Sequence, residues 1–88
     1  MTEEHIELAR HALGLDGHRK QSYRNRYVTG PGGSDHPAWL AMVEAGDAKK
    51  RDGSTLPFGG DDMFWLTRQG AEKALRKGER LCPEDFPA

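Results

Sequence analysis

An 88-residue chain has room for one small domain, and with 35% hydrophobic content it must gather its large apolar side chains on few faces to make a core. A net charge of −1, from 13 basic and 14 acidic side chains, gives no global field toward nucleic acid or an anionic membrane. One cysteine, Cys82, excludes an internal disulfide, and no apolar run approaches the ~20 residues of a spanning helix, so a soluble cytoplasmic protein is expected. The acidic N-terminus lacks the apolar stretch of a signal peptide.

Thr2 is placed to cap a helix over residues 3–13, and Glu3, Glu4 and Glu7 suit the positive end of its dipole. Ile6, Leu8, Ala9, Ala12 and Leu13 form its apolar side, and Gly14 is a left-handed stop. Residues 15–21 read as a polar connector. Residues 23–29, with two tyrosines, a valine and a threonine, predict a short strand or extended segment. Gly30-Pro31-Gly32-Gly33 is a loop; it lacks the Gly-Lys-Ser/Thr ending of a phosphate-binding Walker loop, and Asp35 would repel phosphate.

Ser34 or Asp35 caps the second helix, Pro37 fits its first turn and Gly46 stops it. Trp39, Leu40, Met42 and Val43 share one side, so this helix is expected to be a core piece. From His36 to Gly46 it contains no Arg, Lys, Asn or Gln, the main readers of base edges. Residues 48–51 predict a basic strand, and residues 63–66 a strongly apolar one, paired antiparallel across a long tip over residues 53–60 that carries Leu56, Pro57 and Phe58. Adjacent Phe64 and Trp65 must point to opposite faces of that strand. Thr67 caps a third helix ending at Gly78. The expected core is Trp39, Leu40, Val43, Leu66 and Leu75 with either Phe64 or Trp65.

Val43-Glu44-Ala45-Gly46 ending a helix, a hairpin, and then Phe64-Trp65-Leu66-Thr67 with Gly70 entering a last helix resemble the second half of a winged-helix domain. The likeness covers residues 39–75. It implies a hairpin wing that contacts DNA. A full winged helix carries a helix-turn-helix before the wing, whereas here residues 23–33 interrupt where a second helix would stand. The whole chain also resembles small proteins of unknown function encoded in bacteriophages and prophages. These share the Arg-Asn-x-Tyr segment (Arg24 to Tyr27), the glycine-rich turn and the Val-Glu-x-Gly helix end. That resemblance implies a phage or bacterial origin and no activity.

The expected fold is therefore α+β: three helices with a small antiparallel sheet, winged-helix-like in its second half. Residues 1–78 form the domain and residues 79–88 an extended tail. No nucleophile, base and orienting group can be assembled, so the protein is expected not to be an enzyme. No cofactor or metal is expected. His5, His11, His18, His36 and Cys82 lack zinc spacing and the histidines are expected at the surface; Asp61-Asp62 supplies too few oxygens for calcium. The expected function is a phage or prophage accessory protein that binds a protein partner through Phe58 and Trp65. The alternative is a winged-helix-like DNA-binding protein that holds phosphates with Arg24, Arg26, Lys49, Lys50 and Arg51.

Overall fold

The computed structural model describes residues 1–53 and 60–86. It is an α+β globule in which α1 (Glu3–Leu13), α2 (His36–Glu44) and α3 (Arg68–Lys73) cover one side of a three-stranded antiparallel sheet. The strands are β1 (Tyr27–Thr29), β2 (Ala48–Arg51) and β3 (Asp62–Leu66), in the order β1-β3-β2. The most apolar strand thus takes the centre. β2 meets β3 with Ala48 opposite Leu66 and Arg51 opposite Met63, the antiparallel pairing expected from the sequence. The tip with Leu56, Pro57 and Phe58 lies outside the described residues.

Side chains alternate along β3: Asp62, Phe64 and Leu66 are buried, Met63 and Trp65 half-buried. Phe64 stacks on Trp39 of α2, ring centroids 5.5 Å apart, and Tyr27 of β1 approaches Trp39 at 5.2 Å. Leu13, Leu15, Met42, Ala71 and Phe86 fill the space around this stack. The Trp39 Nε1–H finds no hydrogen-bond partner among the described residues, a penalty of about 1–3 kcal/mol that the ring contacts must outweigh.

Helix α2 is rotated from the expected orientation. Its inward residues are His36, Ala38, Trp39 and Met42, Val43 is half-buried, and Leu40 is 40% exposed. The expected place of Leu40 in the core is wrong. The cause is His36, which was expected at the surface but is buried and bonds Asp62 of β3 through Nε2 at 2.8 Å. With His36 inward, Trp39 one turn on faces in and Leu40, about 100° further round, faces out. Asp35 precedes the helix but caps no helical N–H. Its carboxylate instead accepts from the Thr29 hydroxyl at 2.6 Å and from the Tyr27 hydroxyl, which burial and this carboxylate together push up to about 12.

Two elements are shorter than the sequence suggests. β1 begins only at Tyr27 because the backbone before it serves α1: Tyr23 N donates to Leu13 O and Arg26 N to Ala12 O, filling carbonyls the helix end leaves open. Opposite Leu66 the Asn25 side-chain amide replaces a backbone pair, with Nδ2 donating to Leu66 O at 3.0 Å and Oδ1 accepting from Leu66 N at 2.8 Å. α3 stops at Lys73 rather than near Gly78, and the Ala74 carbonyl is taken by the Arg10 guanidinium at 2.9 Å. Gly70 is required at the start of α3, since a Cβ there would lie 1.9 Å from the Asp47 carbonyl oxygen.

Arg10 is buried on α1. Besides Ala74 O it donates to Leu15 O, and both terminal nitrogens bond Glu79 at 2.5 and 2.7 Å. Beyond it, residues 80–82 lie beside residues 20–22 and Phe86 enters the core. The Arg10 bonds, strengthened by the Arg76 N–H, hold the Glu79 carboxyl at about 2 against an ordinary 4.5.

The core assignment predicts that Met42→Ala costs about 2–5 kcal/mol and Leu40→Ala about 0.5–1 kcal/mol in urea unfolding; equal losses would contradict the rotated helix. Because Glu79 is depressed in the fold, its contribution is complete above its unfolded value of 4.5 and is lost as pH falls toward 2. Wild-type stability should fall by roughly 3 kcal/mol across that window from this pair alone, and Glu79→Gln should be weaker at neutral pH with a flatter acid limb.

Candidate nucleic-acid interface

Among the described residues no helix lies on the far face of the sheet. Cross-strand partners share a face, so Val28, Met63 and Arg51 form one outward row and Trp65 with Lys49 the next. Val28 is 58% exposed, and Met63 and Trp65 are half-buried. Arg26 lies just before β1, with its backbone N–H on Ala12 O of α1, and its exposed side chain borders Val28 at the free edge of β1. The face therefore holds an apolar strip of Val28, Met63 and Trp65 bordered by Lys49 and Arg51 on the β2 side, with Arg26 beside Val28 at the free edge of β1.

None of these three cations makes an ion pair or side-chain hydrogen bond among the described residues, in contrast to the other basic groups around the sheet. Lys50 alternates to the inner face opposite Phe64 and lies 3.7 Å from Asp52. Arg24 is drawn back to α1, where Nε and Nη2 bond the His11 carbonyl at 3.2 and 2.7 Å and the guanidinium lies 5.2 Å from the Tyr23 ring. Arg24 also borders, with Arg26, His11, Tyr27 and Val28, an open hollow of about 310 Å³ at the free edge of β1. Of the five expected phosphate contacts, Lys49 and Arg51 share the open face, Arg26 stands at its β1 edge, and Arg24 and Lys50 are turned away from it. Trp65 stands directly opposite Lys49, and Phe58 lies outside the described residues.

The ends of the face are acidic. Asp61 lies over Gly30, where its Oδ1 would be 2.2 Å from an added Cβ. Asp85 joins Asn25, Lys49, Trp65, Thr67 and Phe86 around a hollow of about 340 Å³ beside the indole. These carboxylates confine the cationic region to the two rows between them. The charged groups that sequence reasoning missed, Arg10, His36 and Asp62, are structural: they sit on the helix side and bond one another or their neighbours. Asp62 is held below the ordinary carboxylate range by the Gly53 N–H and by His36.

No family model, curated protein or solved structure matches the chain. Among the described residues no group of three or more His, Cys, Asp or Glu is placed to hold a metal ion, and no helix is long and apolar enough to cross a membrane.

An open face makes a direct expectation. Val28→Ser should change stability by no more than about 0.5 kcal/mol, as for a surface substitution. A loss like that of a core valine, read by thermal unfolding, would show that another part of the chain covers the face.

Proposed function

We propose that the protein is a non-enzymatic binding module, a phage or prophage accessory protein, whose working surface is the outward face of its sheet and whose ligand is nucleic acid. The observation that carries this is Lys49 opposite a partly exposed indole, Arg51 in the next row of the same face and Arg26 at the β1 edge, none of them neutralised by a described carboxylate. Basic side chains supply phosphate contacts, and an aromatic supplies a platform for a base.

The protein-partner reading uses the same strip, since Val28, Met63 and Trp65 are apolar. Unpaired cations on both sides of the strip favour a polyanion over an apolar partner surface, which is depleted of charge at its centre. On the winged-helix resemblance the β2–β3 hairpin would be the wing that contacts phosphates, while α2 has no Arg, Lys, Asn or Gln with which to read a groove. With a net charge of −1 there is little long-range steering, so contact is local and weak.

Three phosphate contacts predict a slope of log affinity against log salt of about −2 on a single strand and about −2.7 on a duplex. Fluorescence anisotropy across a salt series measures it. Changing Lys49 and Arg51 together to Gln should remove about two-thirds of the slope and leave the fold intact, whereas Lys50→Gln should leave the slope unchanged. Binding that ignores salt, or a slope insensitive to Lys49 and Arg51, would overturn the reading.

A further inference from the structure

We infer that the nucleic acid held here is single-stranded, with one of its bases stacked on Trp65. The inference rests on the nucleic-acid reading above and assigns that same face its ligand class. A duplex shows a protein its phosphates and groove edges while its bases stay stacked inside, so reading it requires an element that enters a groove. Among the described residues this sheet offers none. Its helices lie on the opposite side, and α2 is held inward by the Trp39–Phe64 stack and the His36–Asp62 bond.

Trp65 stands on the central strand, with Lys49 directly across on β2, and Arg26 lies at the free edge of β1. An indole among cations on a sheet surface is useful to an unpaired base, because every base presents a π-face and its phosphates then pass on either side. Arg51 lies two residues beyond Lys49, roughly 7 Å along the strand, so Lys49 and Arg51 can meet neighbouring phosphates of one chain. Asp85 at the Trp65 end repels phosphate, which directs the strand from the indole toward the Met63 and Arg51 row. Asp61 at the other end limits its length to a few nucleotides.

Deoxyribose and ribose strands share this chemistry, so both are tested. Fluorescently labelled oligothymidine, oligouridine and a short blunt duplex are titrated with the full chain at low salt, and the two indole N–H signals are followed by 1H–15N NMR, assigned with Trp65→Phe. At least one single strand should bind about tenfold tighter than the duplex. The Trp65 indole signal should move on binding while that of buried Trp39 stays. Trp65→Ala should weaken single-strand binding about five- to a hundredfold without changing the salt slope, and Trp65→Phe should retain most of the affinity. An unchanged slope separates stacking from phosphate contact, and the wild-type indole signals decide the matter if Trp65→Ala does not fold. Oligothymidine bound better than oligouridine, or the reverse, assigns the strand type. Duplex bound as tightly as either strand, with the Trp65 signal still, overturns single-strand stacking and leaves nucleic-acid binding standing. No binding of any of the three probes overturns both.

Discussion

One ring contact decides which side of this protein is inside. Trp39 on α2 and Phe64 on the central strand lie 5.5 Å apart in a near-parallel stack, and both are fully buried. An aromatic pair of this kind adds about 0.5–1.5 kcal/mol to the burial of two large side chains. Among the described residues, Trp39 and Phe64 are the two largest fully buried side chains. The choice propagates through the alternation of β3. With Phe64 inward, Asp62 and Leu66 are inward and Met63 and Trp65 outward.

The rest of the interior is assembled from small residues and paired polar groups. Three of the core residues on α1 and α3, Ala9, Ala12 and Ala71, are alanines, as is Ala74 just after α3; they allow close approach but bury little area. Long-range polar ties join the pieces. Arg10 links α1 to the carbonyls of Leu15 and Ala74 and to Glu79. His36 links α2 to Asp62, whose other oxygen accepts from Gly53 N at 2.8 Å. Asp47 is pushed up by burial, but Lys73 at 2.8 Å and Gln69 outweigh this and hold it low, which ties the turn before β2 to α3. Each tie is strong only while both partners are present, because a buried ion left alone is far costlier than a missing pair.

The pattern of apolar residues made much of the fold legible. The caps Thr2 and Thr67, the stop at Gly14, the antiparallel β2–β3 pairing and the class as a whole follow from spacing and turn chemistry. The errors fall where a polar group sits in an apolar position. His36 displaced Leu40 from the inner side of α2, Arg10 took a core position on a helix whose other buried residues are apolar, and Asn25 ended β1 early by replacing a backbone pair with an amide. None of these has a local signal. A buried histidine and a surface one look alike until the partner, here Asp62 at a separation of 26 residues, is brought beside it.

The candidate site was legible in its parts and hidden in its assembly. Lys49, Lys50 and Arg51 are adjacent in sequence, so a sequence reading groups them; a strand divides them, sending Lys50 to one face and its neighbours to the other. Trp65 and the basic residues belonged to rival readings, one for a protein partner and one for DNA, yet the register puts Trp65 directly opposite Lys49. The same parity governs core and surface. A slip of one residue in β3 would turn Trp65 inward, expel Phe64 from Trp39 and break the His36–Asp62 bond. The interactions that fix the interior therefore also fix the outward indole opposite Lys49 and one row from Arg51, and the surface arrangement cannot shift without dismantling the core beneath it.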